Sequence, residues 1–202
     1  YAYISSYYKD NPESLKWRAE TLHAIEAGHG EIAEMGHLVA DAIVDCHIKT
    51  MLRLGIVYDV LPRESEILHL KFWATAFEQL KERKAIYLES EGKNKGCWVM
   101  PGSAFKEVTG EEDGDDSKVI VRSNGTVTYV GKEIAYQMWK FGLLGKDFHY
   151  RKLMTYANGH ELWVSTAEPV PGEKQFGAGE RVYNVIDSRQ SYLQDVVVAG
   201  LR

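Results

Sequence analysis

Along the chain, apolar residues recur first at helical spacing and then at strand spacing. After Asn11-Pro12, a cap followed by proline at the first helical position, Leu15, Ala19, Leu22 and Ile25 repeat on one face up to Gly28 and predict a helix. A second helix is expected from about Glu31 to Leu54, with Ile32, Met35, Val39, Ala42 and Cys46 as its apolar face and Gly55 as its stop. A third begins near Glu64 or Ser65 and carries Ile67, Phe72, Ala76, Phe77 and Leu80. From Ala85 the pattern shortens to strands. Residues 1–84 therefore read as a helical segment, an insertion packed against a strand-rich segment at 85–202.

In that second segment, Ala85 to Glu89 and Cys97 to Met100 predict a hairpin across the turn Ser90 to Gly96. Val119 to Arg122 and Val127 to Val130 flank Asn124-Gly125, a dipeptide that tolerates the positive φ of a tight turn, and predict a second hairpin. A helix is expected to start near Gly131-Lys132. Pro169 to Gly179 reads as a long surface loop, in which Gly177-Ala-Gly179 lacks the third glycine and the following helix of a dinucleotide fingerprint. Arg181 to Asp187 reads as a buried strand ending in Ser188-Arg-Gln190, ahead of a helix containing Val196, Val197 and Val198.

Composition narrows the class. The 202 residues are 45% hydrophobic and 26% charged, which suits an average globular domain with a sizeable core. No apolar run reaches the ~20 residues of a membrane span, and no signal peptide opens the chain, so a cytoplasmic protein without a membrane partner is expected. Two cysteines, Cys46 and Cys97, are too few for a disulfide framework or a zinc site and read as buried thiols. A formal charge of −5 argues against a chain-wide surface for nucleic acid, so any such contact is local.

Candidate chemistry concentrates at the expected strand-to-helix joint. Tyr129 and Glu133 lie four residues apart there, so a phenol and a carboxylate can face one pocket at the end of a sheet. The alternative is an exposed cross-strand tyrosine and a first-turn glutamate stabilised by the helix dipole. Metal chemistry has less support. His23, His29, His37, His47 and His69 do not pair at i,i+4 and read as surface or capping residues, so no metal site is expected. The acidic run Glu111 to Asp116 reads as a solvated loop rather than a Mg²⁺ site.

A resemblance adds to this. Arg122-Ser-Asn-Gly-Thr-x-Thr-Tyr-x-Gly-Lys-Glu-Ile-Ala-Tyr136, with Arg181-Val-Tyr-Asn-Val-Ile-Asp-Ser-Arg-Gln190 further on, resembles the catalytic core of class I arginyl-tRNA synthetases. Leu54-Gly-Ile-Val-Tyr-Asp59 with Glu64-Ser65, and Glu91-Gly-Lys with Gly96-Cys-Trp-Val99, are similar to stretches between the two halves of that active site. The resemblance implies an α/β fold, a partial Rossmann-like catalytic core with a helical insertion and antiparallel hairpins. That family's two ATP signatures, of the His-Ile-Gly-His and Lys-Met-Ser-Lys-Ser types, are both missing. Gly28-His-Gly-Glu31, His47-Ile-Lys-Thr50 and Lys152-Leu-Met-Thr155 are only superficially like them. Because the chain also begins at Tyr1 rather than methionine, it reads as an internal piece of a larger enzyme.

The function so implied is arginine–tRNA ligation: L-arginine attacks the α-phosphorus of ATP, handled with Mg²⁺, and the arginyl group passes to tRNA-Arg. The piece alone is expected to be inactive. The resemblance further implies that Tyr129 lines the amino-acid pocket, that Glu133 stands where the family usually has an aspartate pairing with the guanidinium, and that Gln190 contacts the α-amino end. A planar guanidinium offers a fork of donors, so a carboxylate accepts two parallel bonds and a phenol a third. Glutamate reaches roughly 1.3 to 1.5 Å further than aspartate, and the guanidinium or the helix must shift to compensate. Two other readings stand beside this one: an arginine-binding or regulatory module without ligase activity, and an interaction domain docking a partner through its helical first third.

Overall fold

The computed structural model describes residues 2–69, 71–104 and 117–202, so the acidic run 111–116 lies outside the described residues. The chain divides into two compact units, one ending at Asp59 and the other running from Val60 to Arg202. The first is wholly helical: α1 (Ala2–Asp10), a 3-10 turn (Pro12–Ser14), α2 (Leu15–Ala27) and α3 (Glu31–Arg53). Its punctuation follows the sequence. Gly28 ends α2 in the left-handed region at φ 75°, and Gly55 follows α3 at φ 71°.

The face of α3 that packs is not the expected one. Ile32, Met35, Val39, Ala42 and Cys46 are exposed, while Ala33 and Ile48 are buried. Gly36 supplies the reason: a β-carbon there would stand 3.2 Å from Ile25 Cγ1, so α2 approaches α3 along its small residues and leaves the bulky stripe outside. Leu15, Ala19 and Leu22 of α2 are exposed as well. Cys46 is thus an exposed thiol on the unpacked side of α3, and Cys97 is only half-buried, contrary to the expectation for both. Among the described residues, no helix is long and apolar enough to cross a membrane.

The second unit carries two small sheets. In one, β1 (Val60–Leu61) runs parallel to β6 (Glu161–Thr166), which pairs antiparallel with β5 (His149–Thr155). The other is antiparallel throughout, with β3 (Trp98–Met100) between β2 (Tyr87–Leu88) and β4 (Lys118–Val121). The expected helix after Glu64 is two helices, α4 (Glu64–His69) and α5 (Phe72–Glu82), because Lys71 takes a left-handed φ of 57°. Phe72, Ala76 and Leu80, one turn apart, form the buried stripe of α5.

Two strand expectations fail, each for a physical reason. Val121 makes one bridge to Val127, but Tyr129 and Val130 open helix α6 (Tyr129–Lys140) instead of extending a strand. Thr128 decides it, because its backbone is extended and its hydroxyl oxygen accepts from Gly131 N at 3.3 Å as an N-cap. Arg181 to Asp187 has no strand structure and is not buried: Tyr183 and Val185 are 82% and 102% exposed. A strand stands only on hydrogen bonds from a neighbour, and this segment is unpaired with either sheet. Helix α7 (Ser191–Leu201) follows as expected and buries Leu193, Val196, Val197 and Gly200.

Helices α5, α6 and α7 close over one core containing Phe72, Leu80, Met100, Ile120, Ile134, Met138 and Val196. Aromatic rings extend it, with Phe72 and Phe148 at 4.5 Å and Trp139 and Phe148 at 5.0 Å between centroids. Asp147 anchors this cluster, its Oδ1 accepting from Trp139 Nε1 and Phe148 N, each at 2.8 Å, and from the Tyr150 hydroxyl. Burial and the Asp147 carboxylate push the Tyr150 phenol far above its ordinary range.

Candidate functional site

Helix α6 owes its position to the turn before it. Gly125 takes φ 83° and donates to Arg122 O at 2.9 Å, Asn124 Oδ1 accepts from Thr126 N at 3.0 Å, and Arg122 N donates to Thr126 O at 2.9 Å. The chain therefore reverses within a few residues. Thr128 N then donates to Ile120 O at 3.0 Å, pinning the first turn of α6 to β4.

From that anchored end, Tyr129, Lys132, Glu133 and Tyr136 project at helical spacing into one cavity of about 140 Å³, which Pro62, Glu64 and Ile67 close from the other side. The structure thus brings Tyr129 and Glu133 together. It leaves Gln190 outside the residues that line the cavity, exposed at the end of the 3-10 turn Ser188–Gln190. Asp187 caps that turn by accepting from Arg189 N and pairing with Arg189 Nε, both at 2.9 Å.

The cavity carries charge of both signs, two carboxylates and one ammonium. Glu64 and Glu133 border it from two different helices, and Lys132 Nζ stands 3.9 Å from Glu64 Oε1. Burial first, and then the Glu133 carboxylate, push the Tyr136 phenol up to about 12. Tyr129 is raised in the same direction by burial, Glu133 and Glu64. Both phenols therefore keep their protons at neutral pH and present neutral oxygens. Lys140 sits 4.5 Å from the centroid of the Tyr136 ring, and burial lowers its pKa against the opposing pull of Glu133.

Sequence reasoning missed Tyr136, Glu64 and the amide behind Glu133. Gln137 Nε2 donates to Glu133 Oε1 at 2.9 Å and to Asn184 Oδ1 at 3.0 Å. The i+3 and i+4 spacing from Glu133 was signal enough for Tyr136 and Gln137 once α6 was known to be helical from Tyr129. Glu64 and Asn184 are distant in sequence, and nothing local announces them.

Chemically, the site offers acceptors and carboxylates in a concave, mostly apolar setting. An apolar cavity of about 150 Å³ accommodates benzene, so this one admits a planar group of guanidinium size. Among the described residues, no three histidine, cysteine or carboxylate side chains converge as a metal site would need.

No protein-family model matches the chain. Individual proteins do. It is 32% identical over 203 residues to the arginine–tRNA ligase of Thermococcus kodakarensis, covering 100% of this chain and 31% of the relative. It is 36% identical over 191 residues to the arginine–tRNA ligase of Deinococcus radiodurans, covering 94% and 30%. The solved Thermus thermophilus arginyl-tRNA synthetase superposes with a TM-score of 0.73 at 31% identity, over 94% of this chain and 30% of that one. The chain spans just under a third of the length of the curated relatives it matches, and what it matches there includes the mixed α/β fold. By sequence along its full length and by fold, the chain is similar to a segment of arginyl-tRNA synthetases.

Proposed function

We propose that this chain supplies the arginine-recognising part of an arginine–tRNA ligase, with Glu133 receiving the guanidinium and Tyr129 and Tyr136 flanking it. The observation that carries the reading is the single cavity shared by the Glu133 carboxylate and two protonated phenols. A guanidinium has only donors and never loses its charge, so it needs acceptors and an anion together. Lysine offers no planar fork, and citrulline, although planar, would leave the carboxylate without a countercharge. Gln190, which ends the segment ahead of α7, contacts the α-amino end of the substrate in this reading.

ATP, Mg²⁺ and tRNA-Arg belong to the complete reaction. The described residues do not fit the first two: they bring no metal-ligating trio together, and neither ATP signature occurs in the sequence. The work assigned to this chain is accordingly selection and orientation of the amino acid. In a cytoplasmic ligase the missing groups come from other parts of the polypeptide.

Calorimetric titration with L-arginine, L-citrulline and L-lysine tests the reading. Binding of L-arginine in clear preference to the other two supports it, and equal binding of all three, or none, removes it. Binding of L-arginine by the intact protein that ATP does not strengthen would favour the regulatory alternative.

A further inference from the structure

Gln137 is 1% exposed, in the middle of α6, one turn beyond Glu133. A buried primary amide has two N–H donors to satisfy. Both are used, one on Glu133 Oε1 at 2.9 Å and one on Asn184 Oδ1 at 3.0 Å. Asn184 in turn accepts from Lys140 Nζ at 3.2 Å and donates from Nδ2 to Gln194 Oε1 of α7 at 2.8 Å. A relay of three amides therefore runs from the carboxylate at the cavity, through the segment leading to Gln190, to α7.

The neighbours of Gln137 on the buried side of α6 are Ile134 and Met138, both fully buried. Packing alone would be served by leucine or methionine at 137, so what the amide adds is its two directed bonds. A carboxylate that grips a planar fork must hold its own plane still, since two parallel bonds form only when both planes coincide. One N–H from Gln137 fixes that plane without using up the lone pairs of the carboxylate.

We infer that Gln137 is a positioning residue for Glu133, steadied by Asn184, and that selectivity for a guanidinium depends on this relay behind the cavity as well as on the cavity walls. The inference rests on the reading of the cavity as an arginine site. Leucine at 137 keeps the shape of glutamine and removes its donors, and Asn184 is exposed enough to be replaced without disturbing the core.

The test is calorimetric titration of L-arginine and L-lysine into the unmodified protein and into Gln137→Leu and Asn184→Ala. Gln137→Leu is expected to weaken L-arginine about tenfold, the effect of one charge-assisted hydrogen bond, while weakening L-lysine less, because a point-like ammonium does not need a fixed carboxylate plane. Asn184→Ala moves both values in the same direction by a smaller factor. A narrowed arginine-to-lysine ratio is the signature that simple loss of packing does not give. If both variants keep the affinity and the ratio of the unmodified protein, the inference is wrong while the arginine site stands. If the unmodified protein binds no L-arginine, the reading of the cavity fails first and takes this inference with it.

Discussion

Gly131 lies against Ile120 so closely that a β-carbon on Gly131 would stand 3.1 Å from the Ile120 carbonyl oxygen, with Val127 Cγ1 at 2.9 Å and the Trp73 ring at 3.2 Å. At Gly131 the first turn of α6 meets β4 with no side chain between them. Replacement by alanine gains about 1 kcal/mol of helix propensity but forces an overpacked contact costing roughly 1–3 kcal/mol, and a carbonyl in a strand has little room to yield. Gly131→Ala is expected to lower stability by up to about 2 kcal/mol in urea unfolding. An unchanged midpoint would mean that α6 slides freely on β4.

Thr128 holds the same junction from the other side. Its Oγ1 accepts from Gly131 N at 3.3 Å and lies 3.0 Å from Ile120 O and 3.1 Å from Val119 O, so one hydroxyl serves both the helix and the strand. Thr128→Val keeps the shape and loses the hydroxyl, and is expected to cost about 1–2 kcal/mol. Because α6 carries the cavity residues, Tyr129 and Glu133 should become more mobile in the variant, seen as faster amide exchange in the first two turns of α6.

Glu133→Gln tests the charge at the proposed arginine site with almost no change in shape. Losing the anion opposite a guanidinium should weaken L-arginine by at least tenfold, about 1.4 kcal/mol or more, with the melting temperature nearly unchanged because Glu133 is on the cavity side of α6. Equal affinities for both proteins would remove Glu133 from the site.

Catalysis gives a negative prediction. The 202-residue chain should show no arginine-dependent ATP–pyrophosphate exchange, since positioning the amino acid does not by itself activate a phosphate. Exchange above the level without arginine would show that the phosphate-handling groups are present after all.

At high pH the phenols with raised pKa values should destabilise the protein. Tyr136 has its pKa raised from 10.0 to about 12, and Tyr129 and Tyr150 are raised as well. Below pH 10 these groups are protonated in both the folded and the unfolded chain, and their full contribution is present. Between about 10 and 12 the unfolded chain gives up its protons first and binds fewer than the native one, so stability falls as pH rises. For Tyr136 the loss is on the order of 2 kcal/mol. Denaturant midpoints compared near neutral pH and near pH 11 should fall in the parent and fall less in Tyr136→Phe.

The sequence reveals where this fold is punctuated better than what it pairs. Gly28, Gly55 and Asn124-Gly125 mark real stops and a real turn because glycine at positive φ is a local requirement that no distant contact overrides. The antiparallel hairpin at β2 and β3 was legible for the same reason. Thr128 to Val130 misled because threonine, tyrosine and valine favour strands, while the hydroxyl of Thr128 and the contact at Gly131 commit them to a helix. The longest pair of strands, β5 and β6, went unread although Asn158-Gly159 turns between them, because Arg151, Lys152 and Met154 do not alternate cleanly and the pairing shifts register there.

Of the site, Tyr129 and Glu133 were legible as a pair four residues apart across an expected strand-to-helix joint; the structure instead places both on α6, lining one cavity. Gln190 was read as part of a strand end, but Arg181 to Asp187 has no neighbour to make it a strand, and position along the chain alone did not bring Gln190 to the cavity. Glu64 reaches the cavity from a helix far earlier in sequence, which is information that only the fold contains.

The parallel pairing of β1 with β6 has a consequence for the order of events during synthesis. Val60 lies beside Trp163, and Arg63 N donates to Ser165 Oγ at 2.7 Å, so each half of the joint waits for a partner about a hundred residues away. At about 5–20 residues per second on the ribosome, β1 stands alone for on the order of ten seconds before β6 emerges. Pro62, Glu64 and Ile67 follow directly on β1, so their wall of the cavity cannot be set against Tyr129 and Glu133 until that late closure. The cavity therefore takes shape only after Glu161–Thr166 has been made.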